Sequence, residues 1–403
     1  MQRFRSVFEL TAIGALSFLL IFGCPGDDSG PPRVAFKTTP VDNDGRPWRI
    51  ACYEGGPFLE FRLHLEALVE GLAELGWIEP IELPEPDNPE DTAALWQFLC
   101  EEVESDYVEF LPDAYWSCGW NTRRRNANKT AALKRLNGGD IDLMLAMGTW
   151  AGLDLATDAH STPTVVMSVS DPVRMGIVES PHDSGLDHVH CKCDPGRYLR
   201  QIRLFHTIFR FERLGVVCEN TPDGKSYANL DDLKAVGRQR GFEIVVRYVN
   251  VIDTPDRKIV RRTRQTIASM ADDIDAFWTP QHRGTAPQNL PNTIEPLLER
   301  KIPTWSQLGS PCVRRGVLMG VTEKRYKDAG LFHARAIATI LNGATPRHIE
   351  QVYEDPKRLV INLEVARRMG FKAPHSLIRI SDETFERIEG LERLPDNGAG
   401  DGE

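Results

Sequence analysis

The stretch 214–279 alternates strand and helix. It opens on Leu214-Gly215-Val216-Val217-Cys218, passes through the amphipathic run 228–240 to the β-branched run 243–249, then through the amphipathic run 258–270 to Ala276-Phe277-Trp278-Thr279. Short β-branched runs separated by helical spacing are the pattern of βαβ units, which build parallel sheets.

Upstream the same alternation recurs. Arg49-Ile50-Ala51-Cys52-Tyr53 reads as a strand, and 59–75 sets Leu63, Leu65, Leu68, Val69 and Leu72 at a helical period. A helix near 128–136, a strand over 141–147, a helix over 151–156 and a strand over 164–169 follow. Two similar open sheets imply two lobes with a cleft between them. In such sheets ligands bind beyond the carboxyl ends of the strands, so function is expected in the loops that leave those ends.

Composition narrows the class. The chain has 403 residues, 48 Lys and Arg against 58 Asp and Glu, and a net charge of -10. That balance excludes a typical nucleic-acid binder, whose affinity comes from clustered positive charge. With 41% hydrophobic and 26% charged residues the chain reads as soluble and globular rather than polytopic.

At the N-terminus, Arg3 and Arg5 precede an uncharged, mostly apolar run over 11–23, too short to cross a bilayer comfortably. It reads as a signal peptide over 1–23. Leu20-Ile21-Phe22-Gly23-Cys24 resembles the lipobox of bacterial lipoproteins, which makes Cys24 the expected lipidated residue and membrane anchor, with export to the cell envelope. A membrane anchor that stays uncleaved is the alternative. Residues 24–46 read as a flexible tether.

Eight cysteines less Cys24 leave seven, so at least one thiol is expected to be unpaired or to pair between chains. Cys52 and Cys218 fall in apolar strands and are expected to be buried and inert. Cys100 and Cys118 flank a polar and aromatic insert over 101–125 and are the disulfide candidate. That insert has three readings: it covers the cleft, docks a partner or extends a lobe.

The loops beyond the expected strands carry Gly55 and Gly56, Thr149 and Trp150, Ser170 and Asp171, Asn220 and Ser226, and Gln281 and His282. Glycines, hydroxyls, amides and aromatics suit reversible capture of a small molecule, though Thr149 and Ser170 serve equally well as helix caps or turn residues. Trp278 and Trp305, at strand ends, are expected in the core.

Several motifs then follow in order: Ala146-Met147-Gly148-Thr149, Ser168-Val169-Ser170-Asp171-Pro172-Val173, Arg213-Leu214-Gly215-Val216-Val217 leading to Asn220, Asp275-Ala276-Phe277-Trp278-Thr279-Pro280, Val313-Arg314-Arg315-Gly316, and Leu359-Val360-Ile361-Asn362-Leu363 with Ala366-Arg367-Arg368-Met369-Gly370. Together, over about 48–376, they resemble the ABC-transporter substrate-binding protein family that includes tryptophan- and tyrosine-binding lipoproteins. The resemblance implies the type I periplasmic-binding-protein fold: an α/β chain of two Rossmann-like lobes with parallel sheets, joined by crossover strands and closing on a small-molecule ligand for delivery to an ABC permease. It places lobe 1 at 47–185 plus about 317–348 and lobe 2 at 186–316 plus about 349–376, leaving 377–403 as a C-terminal helix and acidic tail.

One departure bears on the ligand. Members of that family commonly place Thr-Asp-Asn where this chain has Gln281, His282 and Arg283, and a second acidic position is absent from Ser306-Gln307-Leu308-Gly309-Ser310-Pro311. A desolvated ammonium needs a counter-charge, so both losses argue against a standard amino acid. Arg283 would favour an anion, against its commoner role as a solvated surface arginine.

Sharper motifs fail. Gly224-Lys225-Ser226 ends like a phosphate loop, but Glu219 occupies the position of its first glycine. His188, His190, Cys191 and Cys193 alternate sides if extended, a poor geometry for one metal. Arg123, Arg124 and Arg125 read as a solvated face. The expectation is a monomeric, non-catalytic, lipid-anchored solute-binding protein for a small polar or anionic molecule, aromatic ones included, with no cofactor, no metal and no nucleic acid. A lipoprotein sensor docked on a membrane signalling protein is the alternative, and a metal-dependent enzyme at 188–193 a third.

Overall fold

The computed structural model describes residues 36–252, 254–321, 325–354 and 358–390. The expected signal peptide, Cys24 and the tail from Leu391 lie outside the described residues. Strands β1 (Trp48–Glu54), β2 (Val108–Ser117), β3 (Leu143–Met147), β4 (Thr164–Met167) and β5 (Val189–Cys191) form one parallel sheet in the order β2-β1-β3-β4-β5.

Between them in sequence come α1 (Leu59–Glu74), α2 (Thr92–Glu102), α3 (Thr122–Gly138) and α4 (Gly148–Leu155). Successive strand residues point to opposite faces. Ile50, Cys52, Leu143 and Leu145 share a core with α1 and α2, while Ala51, Tyr53, Met144 and Ala146 share another with α3 and α4. Burial on both faces is why these strands read as unbroken apolar runs.

The second sheet is built from β6 (Arg213–Cys218), β7 (Glu243–Tyr248), β8 (Ala276–Thr279), β9 (Thr304–Ser306), β10 (Met319–Val321), β11 (Leu359–Asn362) and β12 (Ser381–Phe385). Its order is β12-β11-β10-β9-β8-β6-β7, parallel except between β10 and β11. Helices α5 (Arg197–Phe209), α6 (Pro222–Tyr227), α7 (Leu230–Arg240), α8 (Asp256–Met270), α9 (Leu290–Thr293), α10 (Glu295–Glu299) and α11 (Ser310–Arg314) connect them, followed by α12 (Arg325–Leu341), α13 (Leu363–Met369) and α14 (His375–Ile380). Trp278 and Trp305 are fully buried there.

Helix α12 returns to the first lobe and packs on α1. A Cβ on Gly330 would stand 2.2 Å from the Ala67 carbonyl oxygen, and one on Gly71 2.9 Å from the Ala334 Cβ. Small residues therefore let the two backbones touch, and any larger side chain would push α12 off the lobe. The chain passes between sheets after β5, after β10 and before β11. At one such crossing the Cys193 N–H donates to the Gln351 carbonyl at 2.7 Å and the Tyr353 N–H to the Cys193 carbonyl at 2.8 Å.

Several expectations are corrected by this topology. The lobe crossings fall later than 185/186 and 316/317, because β5 pairs with β4 in the first sheet and β10 with β9 in the second. The segment expected as a C-terminal helix from 377 continues from α14 into edge strand β12, paired with β11. The middle of the 101–125 insert is strand β2, which pairs with β1 across a register shift between Ile50 and Cys52. Pro112 sits within that irregular stretch, as prolines in strands do, and it hid the strand from a sequence reading.

Cys100 packs on the α1 and α2 face and Cys118 on the opposite one, so the disulfide candidate does not form, and both thiols are free. From Phe36 onward the expected tether is described, and lobe 1 takes up its carbonyls. Thr38 O accepts from Trp77 Nε1 at 2.9 Å, Thr39 O from Asn342 Nδ2 at 3.0 Å and Val41 O from Trp48 Nε1 at 2.9 Å. Among the described residues no helix is long and apolar enough to cross a membrane.

Candidate ligand-binding site

Strands of both sheets end at a shared cavity of about 430 Å³, within the size range of small-molecule sites. Lobe 1 supplies an aromatic wall of Phe58, Phe61, Trp120 and Trp150. Trp120 and Trp150 meet edge to face with centroids 5.6 Å apart, and Phe61 lies 6.2 Å from Trp120. Glycines make room for this packing. A Cβ on Gly148, whose φ is +85°, would stand 2.3 Å from the Phe61 ring, and one on Gly56 2.7 Å from the Trp120 backbone nitrogen. Trp120 itself holds a left-handed φ of 54°, fixed by its N–H on Gly55 O (3.0 Å) and its indole N–H on Pro57 O (3.0 Å).

Trp150 is backed by charge. The Arg125 guanidinium lies 4.7 Å over its ring and grips Asp154 through Nε (2.8 Å) and Nη2 (3.1 Å). The buried Asp154 also accepts from Tyr53 Oη at 2.9 Å and faces Lys129 Nζ at 3.6 Å. Arg125 is thus part of a half-buried network rather than a solvated face. Helix α4 begins at the cavity with no side-chain cap, so its first backbone N–H groups are open toward Gly148, Thr149 and Trp150.

The wall from lobe 2 is acidic. Glu219 and Asp223 line it with Gly224 and Tyr227, and Asp256 stands near Arg283. Glu219 is buried and accepts the Val251 and Ile252 N–H groups on Oε1, at 2.8 and 3.2 Å. Arg283 is spent on the Asp256 carboxylate and on the Val251 carbonyl at 3.0 Å, so it is no free anion receptor. His282 donates from Nε2 to the Val249 carbonyl at 3.0 Å and accepts the Gly284 N–H on Nδ1 at 3.1 Å. Burial, with Arg283 nearby, pushes its pKa down to about 4 against the raising effect of the Val249 bond, and it shapes the site as a neutral group. Glu90, from lobe 1, is raised by burial and by Asp256 nearby, against the lowering effect of Gln288 and Arg283.

Gln281 joins the lobes. Its Nε2 donates to Glu60 Oε2 at 2.6 Å and its Oε1 accepts from Ser170 Oγ at 2.8 Å, both in lobe 1. Glu60, in the first turn of α1, accepts on its other oxygen from Tyr326 Oη at 3.0 Å. Arg174 forms a second link, reaching Asp231 at 3.5 Å and Asp232 at 3.6 Å.

Of the residues expected at the site, Thr149, Trp150, Ser170, Gln281 and His282 line the cavity. Gly55 and Gly56 lie behind Trp120, where a Cβ would strike its ring. Asp171 caps its own turn, accepting the Arg174 N–H at 3.0 Å; Asn220 is exposed; Ser226 is buried away from the lining. Sequence reasoning missed Ser168, which lines the cavity in a left-handed conformation (φ 55°) with a buried hydroxyl that has no partner among the described residues. It also missed Trp120, Glu219 and Asp223; Glu219 stands one residue before Asn220 in a loop it had singled out.

Cys191 and Cys193 pack in one apolar cluster while His190 faces Phe332 and the Glu350 carbonyl on the other side of the strand. Among the described residues no group of three or more His, Cys, Asp or Glu is placed to hold a metal.

Comparison with known proteins places this geometry. The chain is similar in fold to an ABC domain from Streptococcus pneumonia in complex with L-Trp, with 18% identity and a TM-score of 0.63, over 84% of this chain and 100% of that one. A conserved domain protein from Vibrio cholerae gives the same identity, coverage and TM-score. A substrate binding protein with adhesive properties from Clostridium difficile, in a ligand-free, open structure, aligns at 17% identity and a TM-score of 0.56, over 84% of this chain and 100% of that one. The shared architecture is the type I periplasmic-binding-protein fold. No curated protein matches the chain. The family described as ABC transporter substrate binding protein matches residues 116–385, two thirds of the chain, and the chain belongs to that family.

Proposed function

We propose that this protein is the lipid-anchored, extracytoplasmic receptor of an ABC-type uptake system, without catalytic activity, and that its lobes close on a small molecule with a flat apolar body and polar ends. The observation that carries this reading is the cavity between the lobes, aromatic on one wall and polar on the other, with Gln281 reaching across it. Aromatic faces supply burial while hydroxyls, amides and the α4 N-terminus fix orientation. Acids at Glu90, Glu219 and Asp223 weigh against the anionic ligand expected from Arg283, and they replace the carboxylates missing from the 281–283 and 306–311 loops.

A thermal-shift screen of the protein against amino acids, aromatic acids, amines and nucleosides tests it. A ligand that binds only the folded state raises the melting temperature. The expected result is a shift from a ring-bearing compound that is lost in Trp120→Ala; silence from the whole panel would sink the receptor reading. Neighbouring permease and ATPase genes support transport, whereas a kinase or cyclase gene supports the sensor.

A further inference from the structure

We propose that the ligand is an organic cation, a flat apolar molecule carrying a protonated amine or amidine and no carboxylate. This rests on the cavity being the ligand site and adds the charge of what enters it. Four carboxylates line the cavity against one guanidinium, and that guanidinium is committed to Asp256 and the Val251 carbonyl. Two carboxylates then stand out.

Glu219 is only 5% exposed, and its hydrogen bonds to Val251 and Ile252 use Oε1 alone. Asp223 is paired with no donor and no cation among the described residues. The two share one wall, since a Cβ on Gly224, the residue after Asp223, would stand 2.4 Å from the Glu219 Cβ. Carboxylates shielded from water are costly without a counter-charge, and a ligand cation supplies it. The π faces of Trp120, Trp150 and Tyr227 in the same cavity favour a cation further.

A ligand carboxylate finds no such partner. Arg125 lies over the Trp150 ring and holds Asp154 with two nitrogens, and it is not part of the lining. The open N–H groups of α4 and the unpartnered Ser168 hydroxyl are dipoles, suited to a neutral hydroxyl or carbonyl on the ligand.

The test is a thermal-shift and titration series on the full chain, wild type and Asp223→Asn. Probes are tryptamine, tyramine and benzamidine as cations, tryptophan and tyrosine as zwitterions, indole-3-acetate as an anion and indole as a neutral body. Asp223 is half-buried and unpartnered, so its amide variant is expected to fold, and the ligand-free melting temperature checks that it does. Expected are shifts from the cations that exceed all others, with binding weakened about 10- to 100-fold in Asp223→Asn. Glu219→Gln, which keeps an oxygen for the Val251 and Ile252 N–H groups, is expected to weaken the cations in the same direction. Equal binding of indole, tryptophan or indole-3-acetate overturns the charge assignment and leaves the cavity as the site. Undiminished cation binding in both variants overturns it too. No shift from any probe counts against the site itself.

Discussion

The Gln281 side chain, on the loop after β8 of lobe 2, donates a 2.6 Å hydrogen bond to the Glu60 carboxylate in the first turn of α1 in lobe 1. The acceptor is 4% exposed, so the bond is shielded from competing water. With Arg174 on Asp231 and Asp232, it is one of the side-chain links between the two lobes.

Replacing Gln281 by Glu sets a second carboxylate against Glu60 and removes the donor. Like charges at that separation repel, and a hydrogen bond to a charged group contributes about 1.5–3 kcal/mol. Small-angle scattering on Gln281→Glu is expected to show a larger radius of gyration than wild type at neutral pH. An identical scattering curve would show that this bond does not hold the lobes together.

Arg125→Met leaves the buried Asp154 with Lys129 at 3.6 Å and the Tyr53 hydroxyl. Removing one partner of a buried ion pair costs about 3–5 kcal/mol, and Lys129 recovers part of it, so a loss of about 2–3 kcal/mol is expected in urea unfolding. The same variant uncovers one face of Trp150, and its fluorescence should shift. A stability within 0.5 kcal/mol of wild type, on the scale of ordinary surface changes, would contradict the network.

Two glycines separate backbone strain from steric conflict. Gly139 has φ +71° with nothing within 4 Å of a Cβ, while Gly148 has φ +85° with the Phe61 ring 2.3 Å away. Gly139→Ala is expected to cost about 1–2 kcal/mol, the left-handed penalty alone, and Gly148→Ala about 1–3 kcal/mol more from overpacking. Equal melting temperatures for the two variants would refute the close packing of Phe61.

Burial pushes His190 and His282 down to about 4 from the ordinary value near 6.5. The unfolded chain therefore takes up protons between about pH 6.5 and 4 that the folded chain does not. The contribution of the two imidazoles is complete above 6.5 and is lost as the pH falls toward 4, by up to about 3 kcal/mol each. Urea midpoints measured from pH 7.5 to 4.5 should fall across that window and more gently in a His190→Gln, His282→Gln double variant.

The lobes were legible because doubly buried strands leave an unmistakable trace: Ala276 to Thr279 stands where its apolar run placed it, and 59–75 misses α1 by a single residue. Strands that are short or interrupted carry less apolar sequence, so β2 with Pro112 and the three-residue β10 stayed hidden. At the site, strand-end residues such as Thr149 and Gln281 were found by position alone. Trp120 and Ser168 were not, because their places depend on left-handed backbone that no residue type announces in a tryptophan or a serine. Glu219 was seen only as an obstacle to phosphate, since nothing local reveals that the Val251 and Ile252 amides hold one of its oxygens.

The carbonyls of Thr38, Thr39 and Val41 are held by Trp77, Asn342 and Trp48, all within lobe 1. Any tension drawn through the chain before Phe36 is delivered to that lobe alone and bypasses the crossover segments. With the lipid anchor proposed above, the protein would hang by lobe 1, and opening and shutting would move the other lobe as the untethered load.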